Sequence, residues 1–123
     1  MATLNDRVLD NGLTVLDTEA TRVDITSQEA TSYAEATSTY TLGNETSISI
    51  SAPADASPNG RKVTLSAISG ASVTSTGTAT HFAISDTSST RLLATGSLSA
   101  SQAVTSGNTF SLTATDIRIP DPA

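Results

Sequence analysis

Arg61-Lys62-Val63-Thr64-Leu65, Ala71-Ser72-Val73-Thr74, His81-Phe82-Ala83-Ile84, Arg91-Leu92-Leu93-Ala94 and Thr109-Phe110-Ser111-Leu112 succeed one another within residues 61–119, with Gly, Ser, Thr and Asn between them. Each run is short, and several alternate with period two, which places the apolar residues on one face of a strand. The residues between them are those that turns favour. The pattern predicts strands over 62–68, 71–77, 79–86, 90–96 and 109–119, with 98–104 as a weak strand or a connection. The fold class that follows is all-β, an antiparallel β-sandwich of jelly-roll or Ig-like kind. Shared parity gives an expected core of Ile48, Ile50, Val63, Leu65, Val73, Phe82, Ile84, Leu92, Phe110, Leu112, Ile117 and Ile119. Phe110 and Leu112 differ in parity from Ile117 and Ile119, and a β-bulge near Thr115-Asp116 is expected to bring both pairs to one side.

Outward from this β half, Pro53-Ala54-Asp55-Ala56-Ser57-Pro58-Asn59-Gly60 combines φ-locked prolines with Asn-Gly and reads as a loop. Before it, residues 46–51 alternate with Ile48 and Ile50 on one side, and Arg22-Val23-Asp24-Ile25-Thr26 alternates likewise. Both are predicted strands. Ser32-Tyr33-Ala34-Glu35-Ala36-Thr37 predicts one or two helical turns that end before Leu42-Gly43-Asn44. In residues 4–19 the leucines and valines fit a helical stripe, but Asn11-Gly12 interrupts it, and Gly inside a helix costs about 1 kcal/mol against Ala. The organisation expected is an irregular, partly helical N-terminal arm over residues 1–20 and a single β-sandwich domain over residues 21–123.

Composition narrows the function classes. Ser and Thr make up about a third of the 123 residues, there is no cysteine or tryptophan, and the net charge is −6. Without cysteine there is neither a disulfide framework nor a thiolate metal site. The excess of acid lies wholly in residues 1–45, where Asp6, Asp10, Asp17, Glu19, Asp24, Glu29, Glu35 and Glu45 face only Arg7 and Arg22. Such a balance lacks the basic footprint of a nucleic-acid binder. No apolar run approaches the roughly 20 residues of a membrane span, and the N-terminal residues lack a Sec-type pattern, so a soluble protein is expected.

No reactive constellation stands out. His81 is the single histidine, and on a strand it shares a face with Ser85 while Asp86 takes the other, so the three do not form a local relay. One histidine and no cysteine fall short of a zinc site. The early acids lack the spacing of a calcium loop, a glycosidase cleft wants aromatics that are scarce here, and no phosphate-cradling glycine motif occurs. The expectation is a protein that is not an enzyme and needs no cofactor.

Two stretches carry a resemblance. One runs Leu9-Asp10-Asn11-Gly12-Leu13, Leu16-Asp17-Thr18-Glu19-Ala20 and Ser27-Gln28-Glu29-Ala30-Thr31-Ser32-Tyr33-Ala34-Glu35-Ala36-Thr37. The other runs Gly77-Thr78-Ala79-Thr80-His81-Phe82-Ala83-Ile84-Ser85-Asp86, then Arg91-Leu92-Leu93-Ala94-Thr95-Gly96-Ser97-Leu98 and Val104-Thr105-Ser106-Gly107-Asn108-Thr109-Phe110. Together they resemble small structural proteins of tailed bacteriophages and prophages, in which the first strand of the second stretch pairs with the next. The resemblance implies a virion protein made in the host bacterial cytoplasm, a capsid decoration protein on the outer surface of the major capsid protein shell. A tail, neck or fibre component, or a carbohydrate-binding or adhesion module presenting Tyr33 and Tyr40, are the alternatives. The partners expected are the major capsid protein or another virion protein and neighbouring copies, with no nucleic acid and no membrane. The arm is the expected attachment, with Leu9, Leu13, Val15 and Leu16 as anchors and acids such as Asp17 and Glu19 facing basic residues of a shell. Removal of residues 1–20 is then expected to leave a folded sandwich.

Overall fold

In the computed structural model, which describes residues 3–4, 12–55 and 61–119, the chain is an antiparallel all-β protein. Its strands are β1 (Thr3–Leu4), β2 (Arg22–Thr26), β3 (Thr41–Glu45), β4 (Ala54–Asp55), β5 (Arg61–Leu65), β6 (Ile68–Val73), β7 (Gly77–Asp86), β8 (Arg91–Val104), β9 (Thr109–Leu112) and β10 (Thr115–Ile119). A short helix α1 (Thr14–Glu19) precedes β2, and a π-helical turn (Glu35–Thr39) precedes β3. The larger sheet has the order β1-β8-β7-β2-β3-β6-β9, and the smaller the order β10-β5-β4. Most of the chain that was read as strand is strand, because period-two alternation is a local signal that a half-buried sheet satisfies directly.

The large sheet curls until its ends approach. β8 and β9 are joined by only residues 105–108, a length that ordinarily makes a hairpin. They do not pair with each other: β8 runs beside β7, and β9 beside β6. The link is held at the end of β6, where Gly107 N–H donates to the Val73 carbonyl and Val73 N–H to the Asn108 carbonyl. The two strands therefore diverge from a shared corner.

The last strand corrects the expected bulge. Ile117 lies opposite Val63 and Thr115 opposite Leu65 in the small sheet, and Leu112 lies opposite Ile68 in the large one. Both strands advance by three residues between the last two pairs, so the register is unchanged. What changes is the face. Ser66, Ala67, Thr113 and Ala114 are all exposed, and at that corner β5–β6 and β9–β10 turn inside out together as they pass from one sheet to the other. A corner shared by two strands alters inward parity without inserting a residue.

One apolar cluster serves both sheets: Val63, Leu65 and Ile117 of the small sheet join Val23, Ile25, Ile84, Phe82, Leu93, Phe110 and Leu112 of the large. Burying each such side chain stabilises by about 1.5–3 kcal/mol. Three expectations need correction. Residues 46–49 form no strand, and Ile50 makes only an isolated bridge to Leu65, so Ile48 and Ile50 flank the core half-buried. The strand in that region is Thr41–Glu45, where Gly43 is required: a Cβ there would lie 2.6 Å from the Ser72 carbonyl oxygen. Leu93 and not Leu92 enters the main core, because the β7–β8 register shifts between Ile84 and Ser85 and leaves Leu93 without an opposite residue. Leu92 instead packs outside the sheet, against Ala30, Ala36 and Ala83. The side chain of Ile119 lies outside the described residues.

The division at residue 20 is not visible in the packing. Leu13, Val15 and Leu16 belong to the same cluster as the strands, and β1 pairs with Ala94 and Thr95 of β8. Both described stretches of the expected arm are thus built into the β domain.

Candidate functional site

The residues expected to grip a partner are placed mostly inward. Leu13, Val15 and Leu16 are buried, with Leu16 wholly inaccessible. This corrects their reading as external anchors: a helix one and a half turns long has no stability of its own, and it forms here because its apolar side is covered by the sheets. Leu9 lies outside the described residues. Asp17 is half-exposed, and Glu19 sits 3.7 Å from the Arg91 guanidinium at the start of β8.

Four more of the described acids of the first third are engaged within the domain. Asp24 is fully buried and receives Arg22 through two parallel bonds, Nε to Oδ1 at 2.7 Å and Nη2 to Oδ2 at 2.8 Å, with Thr41 Oγ1 donating at 2.6 Å. Bonding to Asp24 raises the pKa of Arg22 above its ordinary value. Glu35 accepts from the N–H and hydroxyl of Thr31, Glu45 from the N–H groups of Thr46 and Ser47, and Glu29 from Thr95. The charge excess seen in sequence is therefore in large part the material of turns and of one buried ion pair.

The residues weighed for chemistry lie apart in role. His81 is half-buried, with Nδ1 2.8 Å from Thr80 Oγ1. Asp86 accepts from the N–H groups of Ser88 and Ser89 in the β7–β8 turn, and Ser85 Oγ is buried without a hydrogen-bond partner. Among the described residues no group of three or more His, Asp or Glu is placed to hold a metal ion, and no helix is long and apolar enough to cross a membrane. Tyr40 is half-buried and packs against the alanine cluster outside the sheet.

A concave feature of about 310 Å³ lies between residues 45–49 and 66–69, and a larger one lies at the opening between β8 and β9, a cleft of about 640 Å³. Residues 97–102 form one wall and the corner at 111–116 with 67–69 the other. β8 bows outward there: His81 is opposite Ser97 and Ala79 opposite Gln102, so a single residue of β7 faces four of β8. The floor is apolar, with Phe82, Ile68, Leu98 and Leu112. The Cε2–Cζ edge of the Phe82 ring packs against Gly96, where a Cβ would come within 2.6 Å of it. A side-chain bond crosses the cleft, Gln102 Nε2 donating to the Ser111 carbonyl at 3.2 Å. Asp116 is the one charged residue of the lining, and Thr64 and Lys62 hold it at 2.7 and 3.1 Å. Sequence reading passed over Gln102 and Ser111. The signal that could have found them is the absence of any charged residue from 92 to 115, a stretch that covers most of β8 and all of β9.

Comparison of the chain with family models, with curated proteins and with solved structures finds no match.

Proposed function

We propose that this chain is a structural protein of a tailed-bacteriophage particle, a decoration protein seated on the outer surface of the major capsid protein shell and touching neighbouring copies. The observation that carries the reading is the β7–β8 pair. The stretches Gly77 to Asp86 and Arg91 to Leu98, on which the resemblance rests, are consecutive antiparallel strands with Phe82 opposite Gly96. The rest of the domain is compatible with a particle component: an apolar core without cysteine, a Ser- and Thr-rich exterior, and acids used in turns. In this reading the chain catalyses no reaction and holds no cofactor. Burial of Leu13, Val15 and Leu16 moves the attachment surface away from them, toward strand edges and loops, with Asp17 at its margin.

The test is addition of the purified protein to capsid shells that lack it, followed by image reconstruction. Density at symmetry-related positions on the outer shell is the expected result. Density at the tail or neck would replace decoration by a tail, neck or fibre role. Binding to host-surface glycans with no binding to particles would replace both by an adhesion module.

A further inference from the structure

We propose that residues 27–40 form a lid, which opens from the outer face of the large sheet as one unit while both sheets stay folded. The inference concerns how this domain moves and does not rest on membership of a particle.

The segment is closed on itself. Ser27 N–H donates to the Tyr40 carbonyl at 3.0 Å and Thr26 pairs with Thr41, so its two ends meet at one place. A register shift between Ile25 and Thr26 interrupts the β2–β3 ladder directly beside that place. Between the ends the polar groups bond to one another. Glu35 accepts the N–H and hydroxyl of Thr31, Thr37 Oγ1 donates to the Tyr33 carbonyl, and Tyr40 N–H donates to the Glu35 carbonyl at 2.8 Å. Compact loops with adjoining ends, packed by their own side chains, are frequently functional.

The hold on the sheet is small. Of residues 27–40, Ala30 and Ala36 alone are buried, and they pack with Ala83 of β7, with Leu92 and Tyr40 beside them. Apolar hold scales with the area removed from water, and two methyl groups remove little. The polar links to the sheet include Thr95 Oγ1 to Glu29 at 3.3 Å and Arg22 Nη2 to the Thr37 carbonyl at 3.4 Å, both near the limit of a hydrogen bond. Asp24 and its partners Arg22 and Thr41 belong to β2 and β3, so that network stays in place when the segment leaves.

The sheet face on that side is polar, as a face made for water would be. Asp24, Thr26 and Ser85 are wholly buried there and Thr95 nearly so, on the side opposite to Val23, Ile25 and Ile84. Ser85 Oγ, two residues along β7 from Ala83 on the same face, has no hydrogen-bond partner, and water reaching that face would satisfy it. Opening thus uncovers few apolar atoms and hydrates polar ones. A segment with so few buried apolar contacts opens at a lower free energy than the domain unfolds.

The chain has no cysteine, so a single introduced thiol reports one place. The experiment labels Ala83→Cys, against the segment, and Ala71→Cys, in the main core, with a small thiol reagent in the otherwise intact chain under native conditions. Ala83→Cys should be labelled at least about tenfold faster than Ala71→Cys. Its rate should depend little on low denaturant, because little surface is exposed by the opening. Amide exchange in the unmodified protein keeps the test independent of how either variant folds. Away from the sheet the short turns of the segment fray, so the Ala36 and Tyr40 amides should exchange through the same weakly denaturant-dependent opening, ahead of the ladder amides of β2 and β7. Equal labelling of the two thiols, or exchange of Ala36 and Tyr40 only with the denaturant dependence of global unfolding, would overturn the lid.

Discussion

The two sides of the large sheet are made of similar residues and end in opposite conditions. The β2–β7 ladder is continuous and the β2–β3 ladder is broken only at Ile25/Thr26, and the outer face is backed by residues 27–40 and the buried Arg22–Asp24 pair, so β2 is covered on both faces. Beyond Gly96 most of β8 is exposed, β8 and β9 do not pair with each other, and Gln102 bonds across to the Ser111 carbonyl. The comparison teaches that similar strand sequences are buried on both faces only where a segment from outside the sheet packs on the second face.

The comparison can be broken most severely at the N-terminal end of the backed core. Deleting residues 1–20 removes Leu13, Val15 and Leu16 from the cluster, a loss of about 5–9 kcal/mol of apolar burial. That approaches the whole stability of such a domain. Loss of cooperative unfolding in a denaturant titration is expected; a cooperative transition at the wild-type midpoint would return these residues to an independent arm.

Next in size, Asp24→Ala leaves Arg22 half-buried without its partner and should cost about 3–5 kcal/mol. Asp24→Asn keeps the shape and should cost less. If thermal unfolding shows Asp24→Ala within a degree of wild type, the backing segment does not depend on the pair.

Gly96→Ala tests the junction between the two sides. The added methyl meets the Phe82 ring at 2.6 Å, and displacement of that ring should cost about 1–3 kcal/mol. Because the ring is also the floor of the cleft, the change should show in chemical shifts of Leu98 and Leu112. An unperturbed spectrum would mean the ring yields freely.

Acidification should act more weakly, and on both sides. Bonds from the Thr31 N–H and hydroxyl, and from the Tyr40 hydroxyl, hold Glu35 below the usual carboxylate range, as bonds from Thr64 and Lys62 hold Asp116. A lowered folded value contributes stability above the unfolded pKa that is lost as pH falls through the folded one. The melting temperature should therefore fall between about pH 5 and pH 3. Glu35→Gln should flatten that slope on the backed side and Asp116→Asn at the rim of the cleft. Both carboxylates are exposed, so each effect is small. Smallest of all, Gln102→Ala should change stability by less than about 0.5 kcal/mol, because the bond to the Ser111 carbonyl is single and exposed; a larger loss would show that it closes the sheet.

The candidate cleft was hardly legible beforehand, although its parts were. Residues 98–104 read as a weak strand because their apolar content is low, and they do form the outer part of β8. Nothing local tells that β8 and β9, joined by so short a link, decline to pair. The buried carboxylate was hidden for a related reason. Asp24 in Arg22-Val23-Asp24-Ile25-Thr26 reads as solvent-facing, and only residues packed from elsewhere in the chain reverse that.

By itself the sequence determined the antiparallel all-β class, the strands β2 and β5 to β8, the helical turns near residue 35 and the loops between, because turn chemistry and period-two alternation act over a few residues. The tertiary structure alone decided which faces are buried twice, that Leu93 and not Leu92 points inward, that residues 41–45 are strand, that α1 belongs to the core, and that two strands turn a shared corner without a bulge. Each of these depends on what lies opposite a residue across a ladder or across the core, and a pairing partner tens of positions away leaves no periodic trace in its own neighbourhood.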